Sequence, residues 1–171
     1  MKKTFITTLF CVLVSVACHS CSAEDGYRLW LRYDKIQDEK LLSEYRHAIR
    51  SVTVKGTSET MLAVRNELEL GIGGLLDQEV TFSNSLYEEG ALIVGTLHSL
   101  QELFSASGIE IEEEFENEGF AILSTRLNTY DVILITAKTE IGLLYGVFHF
   151  LRQIQTHRSL STLSVVSNPE I

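Results

Sequence analysis

The 171-residue sequence holds only three cysteines, Cys11, Cys18 and Cys21, and all of them precede Glu24. From Glu24 onward there is no thiol, so disulfides, cysteine-based zinc sites and thiol nucleophiles drop out of that region together. Proline occurs once and glycine eleven times, which excludes collagen-like and proline-rich architectures. Basic residues are scarce: 14 Lys+Arg stand against 23 Asp+Glu, for a formal charge of −9. A nucleic-acid binder needs a basic footprint to displace counterions, so that partner class is not expected. No uninterrupted apolar run approaches the ~20 residues of a membrane-spanning helix, so no span is expected. Core-forming side chains are not scarce, because 45% of the residues are hydrophobic, and the length suits one domain.

The first 23 residues differ from the rest. Lys2 and Lys3 precede an apolar run over 5–17, and Cys21-Ser22-Ala23 has the small-x-Ala form of a cleavage site. Thirteen helical residues reach roughly 20 Å, short of a ~30 Å hydrocarbon core. Residues 1–23 are therefore expected to be a signal peptide, which places the product in the periplasm or outside the cell. A buried N-terminal helix is the alternative. Val16-Ala17-Cys18 partly matches a bacterial lipoprotein box, although Ser15 stands where such boxes carry Leu. Cleavage after Ala23 ranks first, and lipid anchoring at Cys18 or Cys21 stays open. Loss of Lys2 and Lys3 with the signal leaves 12 basic residues against 23 acidic ones.

Period-two alternation over 27–33 predicts a half-buried strand. Residues 38–49 read as a helix, and 51–55 as a short strand ended by Gly56. Thr57-Ser58-Glu59 supplies a capping hydroxyl and a first-turn acid for a second helix. There Met61, Val64, Leu68, Ile72 and Leu75 recur at helical spacing, and Gly71, Gly73 and Gly74 weaken its end. Residues 91–95 read as a buried strand and 99–105 as a short helix. The acid-rich stretch 110–118 reads as a solvated edge or loop. Two strands at 119–123 and 132–136 flank a turn at 128–131, and 140–155 is the strongest helix. The tail 161–171 reads as an extended exit. Alternation early and adjacent strands late favour an α+β domain, a mixed sheet in a two-layer sandwich with packed helices.

The last helix carries apolar residues over an arc of roughly 220°, about twice the stripe needed to cover one sheet. Either this helix is central, or part of it docks on further structure. In the second case Leu143, Val147, Phe150 and Ile154 are the docking candidates, opposite a core line of Ile141, Tyr145 and Phe148.

Chemistry is thinly represented. Gly71-Ile72-Gly73-Gly74 lacks the Lys-Ser/Thr of a P-loop and follows a helix, so a helix-ending glycine cluster is the better reading. Gly142-x-x-x-Gly146 marks close backbone packing. His47, His98, His149 and His157 show no helical zinc-site spacing, and no Gly-x-Ser-x-Gly occurs. Glu112, Glu113, Glu114, Glu116 and Glu118 form a dense run. It lacks the environmental asymmetry that separates a glycosidase acid from its base. Trp30, Tyr27, Tyr33 and Tyr45 suit sugar stacking, but periodicity assigns most of them to packing. No catalytic residue, metal site or cofactor is expected.

Glu24-Asp25-Gly26-Tyr27-Arg28-Leu29-Trp30-Leu31-Arg32-Tyr33 resembles the opening of mature α-glucuronidases of glycoside hydrolase family 67. The stretch from Thr139 through Gly142, Tyr145, Gly146, His149 and Arg152 to Thr156 resembles the end of their N-terminal domain. Glu67-Leu68-Glu69-Leu70-Gly71 fits the same pattern. The resemblance implies an N-terminal domain over 24–160, similar to the accessory domain that precedes the barrel in β-hexosaminidases. It implies an exit segment, 161–171, leading toward a (β/α)8 catalytic barrel. Family members release 4-O-methylglucuronic acid from xylooligosaccharides with inversion, through carboxylates in that barrel, and those carboxylates have no matching positions here. The chain is accordingly expected to be inactive alone. Its expected partners are the barrel and, secondarily, xylooligosaccharide. A stand-alone carbohydrate-binding or interaction module is the competing reading.

Overall fold

The computed structural model describes residues 32–111 and 115–168. The expected signal peptide, its cysteines, nearly all of the strand at 27–33, and Glu112, Glu113 and Glu114 lie outside the described residues. Tyr33, where the folded unit starts, sits in irregular backbone.

Helix α1 (Glu39–Ala48) starts at Asp38, whose carboxylate accepts from the amides of Lys40 (3.0 Å) and Leu41 (3.1 Å). It leads into β1 (Ser51–Val54). Helix α2 (Glu59–Leu76) begins at the hydroxyl of Ser58, which accepts from the Met61 amide, and stops at Asp77 in the left-handed region. Strand β2 (Ala91–Thr96) and helix α3 (Gln101–Ser107) follow. The expected start of α3 at Ser99 is two residues early. The Ser99 amide bonds the Thr96 hydroxyl and the Ser99 hydroxyl bonds the Thr96 carbonyl, so these residues form a turn instead.

Strands β3 (Phe120–Leu127) and β4 (Tyr130–Ala137) form a hairpin with Leu127 paired to Tyr130. Its tightness rests on Asn128 at φ 55°, a conformation asparagine tolerates. Helix α4 (Glu140–Gln155) and strand β5 (Ser164–Ser167) complete the set.

The sheet order is β1-β2-β4-β3-β5. β1, β2 and β4 are parallel, while β3 runs antiparallel to both β4 and β5. This is the mixed-sheet α+β domain expected. The unbroken apolar runs of β2 and β4 follow from burial on both faces. Leu92, Val94, Ile133 and Ile135 join the large core with α1, α2 and α4, while Ala91, Ile93, Val132 and Leu134 join a smaller cluster with Leu100 and Leu103.

The tail does more than exit. Leu123↔Ser164 through Phe120↔Ser167 make it an edge strand, locked by Ser124, whose hydroxyl bonds the Leu160 carbonyl and accepts from the Leu163 amide. The opposite edge, β1, is shielded by residues 81–83: Val52 exchanges backbone hydrogen bonds with Thr81 and Ser83, and Phe82 stacks under Arg65 at 3.6 Å.

The glycine cluster of α2 lies inside the helix rather than ending it. A Cβ on Gly71 would come within 2.5 Å of Leu151 of α4, and one on Gly74 within 2.6 Å of the Tyr33 carbonyl oxygen. The helix accepts glycine's propensity cost because only glycine lets α4 and the entering chain approach that closely.

Candidate functional site: the outward face of α4 and its groove

The four docking candidates Leu143, Val147, Phe150 and Ile154 are all 0% exposed. They therefore form no exposed docking face, and of the two alternatives the first holds: α4 is a central helix packed between the sheet and α2. The reason is steric. Gly142 and Gly146 lie on the side that meets the sheet, where added Cβ atoms would come 2.5 Å from the Gly119 oxygen and 2.9 Å from Ile135 Cγ2. That contact fixes the rotation of the helix and turns Leu143, Val147, Phe150 and Ile154 inward.

The same rotation turns the expected core line outward. Ile141 and Tyr145 are 46% and 41% exposed, and Leu144 and Phe148 are half-buried. The line was missed because hydrophobicity alone does not set the phase of a helix that is apolar over most of its circumference. The spacing of Gly142 and Gly146 was the available signal. Alongside this face runs a groove of about 410 Å³, lined by Tyr145, Phe148, His149, Arg152, Glu118 and Ser167, with Phe120 at its base.

His149 sits against the Phe120 ring, centroids 5.4 Å apart, and its Nε2 accepts from the Gln153 amide at 2.7 Å. That bond requires the neutral ring with its hydrogen on Nδ1. Partial burial, and secondarily the Arg152 charge, push the His149 pKa below its ordinary value of 6.5.

A larger cleft, about 930 Å³, opens between α1, the β3–β4 hairpin and residues 159–161. Among its polar groups, Arg126 Nε donates to Asp131 Oδ1 at 2.8 Å, and Glu89 accepts from the Asp131 amide at 2.9 Å. The Arg126 hydrogen bond holds the Asp131 carboxyl below the usual carboxylate range. A glycosidase acid needs the opposite environment, one that keeps a carboxyl protonated. Asp131 is thus half of an ion pair rather than a protonated acid.

Of the aromatic residues suited to stacking, Tyr45 is 2% exposed and donates to the Arg158 carbonyl at 2.7 Å, which makes it a packing residue. Burial raises its pKa, with a smaller push from Glu44. The Tyr33 hydroxyl bonds Glu67, a buried carboxylate of α2. Tyr27 and Trp30 lie outside the described residues. His47, His98, His149 and His157 do not come together, and among the described residues no three His, Cys, Asp or Glu side chains converge on a metal position. No described helix is long and apolar enough to cross a membrane.

The family model of the glycosyl hydrolase family 67 N-terminus matches residues 29–150. The chain belongs to that family. Curated relatives agree with this family-67 assignment. Alpha-glucuronidase A of Emericella nidulans is 27% identical over 164 residues, covering 94% of this chain and 18% of the relative. Alpha-glucuronidase A of Aspergillus tubingensis is 24% identical over 166 residues, covering 95% and 18%. The probable alpha-glucuronidase A of Aspergillus oryzae is 27% identical, covering 88% and 17%. The family-67 N-terminal domain thus spans less than a fifth of the curated relatives it matches. Among solved structures, a family GH115 4-O-methyl-alpha-glucuronidase described as specific for decorated arabinogalactans shares the fold. Its TM-score is 0.53 at 14% identity, covering 70% of this chain and 17% of that one.

Proposed function

We propose that this chain is the non-catalytic N-terminal domain of an exported α-glucuronidase, which removes 4-O-methylglucuronic acid from xylooligosaccharides with inversion. In this reading a (β/α)8 barrel following the domain performs the hydrolysis, and the domain packs against it. The family-67 N-terminal match over 29–150 carries the proposal. The Arg126–Asp131 pair agrees with this division of labour, because the Asp131 carboxyl is held in its charged form rather than kept protonated as a glycosidase acid.

The export part of the proposal rests on Lys2-Lys3, the apolar run and Cys21-Ser22-Ala23. Mass spectrometry of the exported product tests it: a mature N-terminus at Glu24 supports it, and an acylated Cys18 or Cys21 replaces it with membrane anchoring. Hydrolysis of aldouronic acids by the purified chain tests the non-catalytic role. No turnover above background is expected. Turnover abolished by substituting a carboxylate of this chain overturns the proposal.

A further inference from the structure

Three observations meet on one surface. The first is the outward line of α4: Ile141, Tyr145 and Phe148 present large apolar side chains to solvent within two helical turns. These residues are not needed by the core, which α4 fills from its other side. The second is the groove beside that line. Arg152 stands at its wall, and no hydrogen bond or ion pair engages its guanidinium among the described residues. Glu118, His149 and Tyr145 are the other ionisable groups lining it. The third is the path of the chain. Strand β5 pairs Ser167 with Phe120, and both residues line this same groove, so the backbone leaves the sheet at the groove's rim. In the relatives more than four-fifths of the length lies outside the matched region, and the matched family model is that of the N-terminus.

A polypeptide continuing from β5 therefore starts beside an apolar helix face that the domain itself leaves uncovered. We infer that Ile141, Tyr145, Phe148 and Arg152 form the surface on which the domain following the matched region docks in full-length members of the family. That domain presents apolar side chains to Tyr145 and Phe148 and a carboxylate to Arg152. The inference rests on the proposed function above and adds to it the identity of the face. An exposed apolar line flanked by a cation suits a protein surface of mixed character, with an apolar centre and a charged rim. A second copy of this chain and an acidic sugar are the competing occupants.

Hydroxyl-radical footprinting reads the exposure of Tyr and Phe side chains directly. The full chain is compared alone and grafted in place of the matched region of the Emericella nidulans α-glucuronidase. In an active graft, labelling of Tyr145 and Phe148 is expected to fall severalfold, while Leu70 on α2, 54% exposed, stays labelled. Tyr145→Asp is expected to lower the melting temperature of the graft and leave that of the isolated chain unchanged. An active graft with Tyr145 freely labelled overturns the face assignment and leaves the proposed function standing. Because a graft can fail to assemble, the intact Emericella nidulans protein is labelled as well. Free labelling at its positions aligned with Tyr145 and Phe148 overturns the inference whatever the graft does. Two results with the chain alone also overturn it: dimerisation in sedimentation that Tyr145→Asp abolishes, and protection of Tyr145 by glucuronic acid or xylooligosaccharide.

Discussion

The carbonyl oxygen of Gly119 lies so close to the α-carbon of Gly142 that a Cβ built there would sit 2.5 Å away. A backbone carbonyl cannot rotate aside as a side chain can. Gly142 is also held from below, since its amide donates to the hydroxyl of the cap Thr139 at 3.1 Å. Alanine gains about 1 kcal/mol of helix propensity, but overpacking of this kind costs about 1–3 kcal/mol and more where nothing yields. Gly142→Ala is therefore expected to lower stability in urea denaturation. Gly73→Ala is the counterpart: its Cβ meets nothing nearer than the Gln78 oxygen at 3.7 Å, and the helix backbone is ordinary there. That substitution is expected to stabilise by about 0.4–1 kcal/mol. If both variants shift the same way, close approach is not what retains Gly142.

Phe150 is 0% exposed and lies in the core between the sheet and α2. Phe150→Ala is expected to cost about 3–5 kcal/mol of domain stability, measured on the chain by itself. A loss under 1 kcal/mol would restore the idea that this residue faces outward.

The Thr136 hydroxyl is fully buried on β4 with no hydrogen-bond partner among the described residues. An unpaired buried hydroxyl carries a desolvation penalty of about 1–3 kcal/mol. Thr136→Val keeps the shape and the β-branching, so it is expected to raise the denaturation midpoint. A drop in midpoint would reveal a partner for the hydroxyl.

Acid sensitivity follows from His149. Its pKa is depressed in the folded state, so the unfolded chain binds the proton more readily, and stability rises with pH wherever that holds. The contribution is complete above the ordinary value of 6.5 and is lost as pH falls below it toward the folded value. Protonation also ends acceptance from Gln153 at Nε2. Melting temperature followed downward from pH 7.5 should fall more steeply for the natural chain than for His149→Gln. Parallel curves would show that the ring does not report on folding.

The sequence by itself determined most of the secondary structure. The capping hydroxyl at Ser58 places one helix start, because it supplies an oxygen to amides that the helix leaves free, and apolar periodicity places the helices at 39–48 and 140–155 within a residue or two. Runs such as Ala91–Thr96 announce strands buried on both faces, because β-branched and aliphatic side chains appear there without alternation. The family was legible too, from the segments around Tyr33 and Gly142. Two matters were decided only by the tertiary structure. One is the fate of 164–167, which a local pattern shows as extended but not as paired, since its partners lie some forty residues back on β3. The other is the rotation of α4. Its hydrophobic arc is so wide that several phases bury similar area, and the choice among them falls to excluded volume at two α-carbons, Gly142 and Gly146, against Gly119, Ile135 and Phe120. Burial area is nearly indifferent to a helix turning about its axis, but close packing is not, and so contacts absent from any local stretch of sequence decide which side of this helix meets solvent.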